Sequence, residues 1–102
     1  MFKLIVLYDQ PDDEEAFLRY YQEVHTPLVR KVPGLERLVV NRVVGDPMGG
    51  RPRYYMVVEM HFKDRAAFEA AAATPEFRAT GKDVTNFAAG KVTLLLAEEL
   101  DQ

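Results

Sequence analysis

The sequence contains no cysteine and only two histidines, His25 and His61. Disulfides, thiolate nucleophiles and thiolate metal sites are therefore excluded. The histidines belong to no HExxH or His-rich pattern, so no metal centre is expected. His61 with Glu59, two residues apart on one strand face, is the nearest approach to a ligand pair. An excess of basic residues is also missing. The formal charge is −3, which argues against a nucleic-acid footprint. No apolar run approaches the length needed to span a bilayer. The opening Met1-Phe2-Lys3 lacks the basic start and cleavage site of a signal peptide. Gly49-Gly50 lacks the spacing of a phosphate-cradling loop, so no nucleotide cofactor is implied. The expectation is a soluble cytoplasmic protein, without membrane or nucleic-acid partners, forming one domain over residues 1–102.

What is present begins with a strand. Phe2–Tyr8 is rich in branched and aromatic side chains and apolar on both faces. Asp12 with Glu15 fits a capping box and opens a helix in which Phe17, Tyr21, Val24 and Leu28 recur at helical spacing. Pro27 disfavours helical geometry at Thr26, so this helix is expected to end or kink just after His25. An imidazole in a last turn would be favoured as its cation, giving a raised pKa and a role in either capping or proton transfer. If His25 is instead buried against the apolar stripe, desolvation lowers its pKa.

Leu35–Val44 reads as a second strand, and Gly45–Pro52 as a loop. Tyr54–Phe62 is a third strand, with Glu59 and His61 on one face. A helix capped by Asp64 restarts at Thr74-Pro75, and Lys91–Ala97 is the fourth strand. The order βαββαβ predicts an α+β, ferredoxin-like fold: a four-stranded antiparallel sheet with both helices on one face. Strands apolar on both sides leave the other face in need of cover, and a second copy of the chain is the simplest partner. A homodimer enclosing a cavity follows. Tyr8, Asn41 and Tyr55 join flat or short bodies to hydrogen-bonding tips and suit its lining.

One family resemblance rests on specific residues. Tyr21…His25-Thr26-Pro27-Leu28…Pro33-Gly34-Leu35, then Tyr55…Glu59…Phe62…Asp64…Phe68, then Asp83…Asn86-Phe87, resembles the EthD family. The resemblance implies a dimeric α+β barrel. Related barrels include cofactor-free monooxygenases, lactone isomerases and polyketide cyclases or dehydratases. It marks His25, Glu59 and Asp83 as the polar positions of interest. Apart from the resemblance, Tyr8, Asn41, Tyr55 and His61 are the expected ligand contacts. The expected activity is cofactor-free proton transfer on a hydrophobic, oxygenated small molecule, of isomerase, cyclase or dehydratase type. His25 would be the acid/base, with Asp83 or Glu59 orienting it. A non-catalytic dimer that binds a small ligand is the competing expectation.

Overall fold

Alternation along the first strand sets the layering. In the computed structural model, which describes residues 1–102, Phe2, Leu4, Val6 and Tyr8 are buried and their neighbours only half-buried. This strand, β1 (Phe2–Asp9), lies in the sheet interior; the strand order is β2-β3-β1-β4, every pair antiparallel. The other strands are β2 (Arg37–Arg42), β3 (Tyr54–Phe62) and β4 (Val92–Glu98). Helices cover one face. Phe68 of α3 (Arg65–Ala72) packs on Phe2 and Phe62, with ring centroids 5.5 and 5.4 Å apart. Phe17 of α1 (Glu14–Tyr20) and Phe87 of α4 (Pro75–Phe87) close on Tyr8 at 5.5 and 5.7 Å. The ferredoxin-like α+β architecture is as the sequence implies.

The opposite face carries no helix. Register places Val39, Glu59, Ile5 and Leu95 in one row across it, and Asn41, Val57, Leu7 and Thr93 in the next. β4 is an edge strand whose Leu94, Leu95 and Leu96 are 60%, 49% and 49% exposed. No helix of the chain is long and apolar enough to cross a membrane.

Helix starts follow local chemistry, with one correction. Asp64 accepts from the Ala67 amide at 2.8 Å, and Thr74 from that of Phe77 at 3.2 Å, so both cap as expected. At α1 the cap is Asp13, not Asp12. The extended Asp13 accepts from Ala16 at 3.1 Å, while Asp12 stands exposed and pairs with Lys91 at 3.1 Å. Two adjacent aspartates carry the same capping chemistry, and the later one takes the position.

A larger correction concerns the helix around His25, which does not end there. α1 continues through a π-helical segment, Tyr21–His25, into α2 (Thr26–Val29) with right-handed helical backbone throughout. The Thr26 amide reaches back five residues to the Tyr21 carbonyl. An α-helical Pro27 would lack its own hydrogen bond and clash with the carbonyl four residues before it. The wider turn accommodates the ring, so the helix widens where an end or a kink was expected. It also takes in one extra residue. Phe17, Tyr21, His25 and Val29 therefore become the buried row, Val24 is 40% exposed and Leu28 only half-buried. The predicted stripe holds up to Tyr21 and then moves along by one position, carrying His25 inside.

Candidate functional site

His25, placed inward by the π turn, is 4% exposed, and α4 supplies its partner. Asp83, Asn86 and Phe87 share one helical face by their three- and four-residue spacing. Asp83 Oδ2 lies 2.9 Å from His25 Nδ1. Its other oxygen, Oδ1, accepts from the Tyr20 hydroxyl at 2.6 Å and from Asn86 Nδ2 at 3.1 Å. Phe87 packs against the imidazole at 4.9 Å and against Tyr20 at 5.2 Å, and Tyr21 approaches the imidazole at 5.4 Å. The pair is thus enclosed by rings.

Burial alone would push the Asp83 carboxyl up, but donation from Tyr20, His25 and Asn86 outweighs it and holds the group below its ordinary value. For His25 the balance is opposite. Desolvation is the largest influence and lowers its pKa, and the bond and charge of Asp83 only partly restore it. The raised value expected from a helix end is overturned, because the ring is at no helix end and is walled off from water. An ionised Asp83 accepting at Nδ1 selects the neutral tautomer with hydrogen on Nδ1, leaving a lone pair on Nε2. Such an imidazole is a base in waiting.

The ring borders a cavity of about 250 Å³ between the β1–β4 side of the sheet and α4. Its walls are mainly apolar, among them Leu4, Val6, Val29, Met60, Phe77 and Val84, and Leu94 stands at its rim. Tyr8 also lines it, as the sequence suggested. Burial, with the charges of Tyr21 and Asp83 adding to it, raises the Tyr8 phenol well above its ordinary range.

The other sequence-nominated residues lie elsewhere. Glu59, His61 and Asn41 belong to the uncovered sheet face. There Glu59 Oε1 meets His61 Nε2 at 3.2 Å and Lys3 Nζ at 3.3 Å, and Asn41 donates to the Val57 carbonyl at 3.2 Å. Donation from Lys3 and His61 overcomes partial burial and lowers the Glu59 pKa. The sheet separates Glu59 from His25, so Asp83 alone orients the imidazole. Tyr55 turns toward the helices beside a β-bulge and packs edge-on against Phe17 at 5.5 Å. Tyr20 and Asn86 complete the site without having been singled out as site residues. The spacing of Asn86 from Asp83 was the available signal; Tyr20 offered none.

A family model for the EthD domain matches residues 10–91. The chain belongs to the EthD family. An EthD family protein of Bacillus halodurans, known from its crystal structure, is 44% identical with a TM-score of 0.93, over 98% of this chain and 99% of that one. A protein of 11.0 kDa from the thcB–thcC intergenic region of Rhodococcus erythropolis is 33% identical over 100 residues, covering 97% of this chain and 95% of that one. A dimeric protein of ferredoxin-like fold from Bacteroides fragilis matches at a TM-score of 0.66 and 17% identity, over 96% of this chain and 95% of that one. At that identity the likeness concerns the fold. Among these EthD and ferredoxin-like proteins, dimers are thus represented.

Proposed function

We propose that this EthD-family chain is an enzyme that moves a proton on a small, hydrophobic, oxygenated molecule, with its own side chains sufficient for the step. Isomerisation, cyclisation and dehydration are the reaction types within reach. The observation that carries the reading is the 2.9 Å contact of Asp83 with His25 Nδ1, in a ring that walls an apolar cavity. A base must be oriented, suitably protonated and open to its substrate. Asp83 supplies orientation, desolvation keeps the imidazole neutral, and the cavity brings the substrate. A panel of lactones and polyketide-like phenols should react with the wild type and not with His25→Ala. Unchanged turnover in that variant removes His25 from the chemistry. Binding without turnover across the panel favours a ligand-binding protein, the second reading that an apolar cavity supports.

The chain is proposed to act as a homodimer through its uncovered sheet face. Ile5, Leu7, Val39, Val57 and Leu95 share that face, and a dimeric protein of the same fold supports a dimer. Light scattering should give about twice the monomer mass at micromolar concentration. A monomer that persists at high concentration would sink the shared interface.

A further inference from the structure

Four residues with polar side chains line the cavity: Tyr8, His25, Thr80 and Thr85. Two of the four have already spent their donors. Thr80 donates to the Phe77 carbonyl at 2.7 Å, and Thr85 to that of Lys82 at 2.7 Å. His25 offers a lone pair, since Asp83 occupies its other nitrogen. Tyr8 offers an O–H with no partner within the chain, in a ring held by Phe17, Tyr21 and Phe87. One fixed acceptor and one fixed donor thus share a small aliphatic chamber.

We propose that Tyr8 is a second catalytic residue, and that the cavity takes an enolisable carbonyl compound. The carbonyl oxygen accepts from the Tyr8 hydroxyl, and the adjacent C–H faces His25 Nε2. This deepens the proton-transfer reading and rests on it. In the step, the C–H bond breaks as the Nε2–H bond forms, and the electron pair moves onto the oxygen as an enolate held by the phenol. Where a C=C bond is conjugated with the enolate, the imidazolium returns the proton to the far carbon of that dienolate, and the C=C moves into conjugation with the re-formed carbonyl. Alternatively, the enolate carbon closes on a second carbonyl of the same molecule, and the imidazolium protonates the new alkoxide. Atoms and electrons balance without an oxidant. The pairing suits a dry site, where a donor aimed at developing charge counts for more than it does in water. The Tyr8 hydroxyl stays protonated there, since burial opposes its ionisation.

The test uses 2-tetralone as the ketone and 2-naphthol as a stand-in for its enol. Wild-type protein in D2O should catalyse deuterium uptake at the benzylic carbon, followed by proton NMR, and should bind 2-naphthol. Tyr8→Phe should slow exchange about a hundredfold, the usual loss for one oxyanion donor, and weaken 2-naphthol binding about tenfold. His25→Gln should abolish exchange yet still bind 2-naphthol. Wild-type exchange rates in Tyr8→Phe would overturn the role of Tyr8 and leave His25 as base. Wild-type rates in His25→Gln would overturn the proton-transfer reading itself. A wild type that binds 2-naphthol but exchanges nothing, or does neither, would overturn the enolisable substrate class. Should Tyr8→Phe fail to fold, carbon-labelled tyrosine in the wild type decides. The Tyr8 ring-oxygen carbon should shift when 2-naphthol binds, and an unmoved signal overturns the contact.

Discussion

Asp83→Asn separates orientation from charge at the centre of the site. The amide keeps the shape of the carboxyl, and its oxygen can still accept from Tyr20 and Asn86 at the Oδ1 position. The amide nitrogen then stands where Oδ2 was, 2.9 Å from a nitrogen that carries hydrogen. Two donors cannot face each other, so the imidazole hydrogen must move to Nε2 and Nδ1 must become the acceptor. The fold should tolerate this. Charge assistance is lost from the hydrogen bonds, but so is the cost of burying a carboxylate. The net destabilisation should be on the order of 1–2 kcal/mol, or roughly 4–16 °C in melting temperature for a domain of this size. The chemistry should not tolerate it. With hydrogen on Nε2 the base is gone, and turnover should fall by about 10²–10⁴-fold, the usual worth of a positioned base. Nitrogen NMR of the imidazole reads the tautomer directly, beside turnover and thermal melts. A variant with hydrogen moved to Nε2 and turnover intact would refute the role given to that nitrogen. One that kept hydrogen on Nδ1 would refute the orientation by Asp83.

Stability should also depend on pH in one direction. The folded pKa of His25 lies below its unfolded value, so the unfolded chain binds the extra proton first. This contribution is complete above about pH 6.5, the unperturbed imidazole value, and is lost as pH falls from there through the folded pKa. Asp83 adds a loss of the same sign at lower pH, as its depressed folded pKa is approached. Urea midpoints for the wild type should therefore fall from pH 8 to pH 5 by more than those of His25→Gln; a rise on acidification would contradict this. Tyr21→Phe should raise stability by about 1–3 kcal/mol, because the buried Tyr21 hydroxyl has no hydrogen-bond partner. Thermal melts check it, and a lower midpoint would reveal a partner for that hydroxyl.

Branched and aromatic runs, apolar on both faces, made Phe2–Tyr8 and Tyr54–Phe62 legible as strands, and the element order βαββαβ made the antiparallel sheet legible. The restart at Thr74-Pro75 was legible for the same kind of local reason, a cap followed by a tolerated proline. The surroundings of His25 were not. A proline signals that an α turn is impossible, but not whether the chain breaks or widens. That choice falls to packing over Phe17, Tyr21 and Val29. Because it widened, Val24 turned outward and the imidazole turned in, which reversed the direction of its pKa shift. Pairing across 58 residues, between His25 and Asp83, is likewise beyond any local spacing. The family resemblance marked both residues, yet left Glu59 as an equal candidate until strand alternation in three dimensions put it behind the sheet.

A neutral, Asp83-oriented imidazole at the cavity wall is open to direct NMR titration of His25. With His61→Gln removing the only other histidine, the remaining ring signals belong to His25. The midpoint should lie below about 6.5, with hydrogen on Nδ1 throughout the neutral range. A midpoint above that value, or hydrogen on Nε2 at neutral pH, would contradict it.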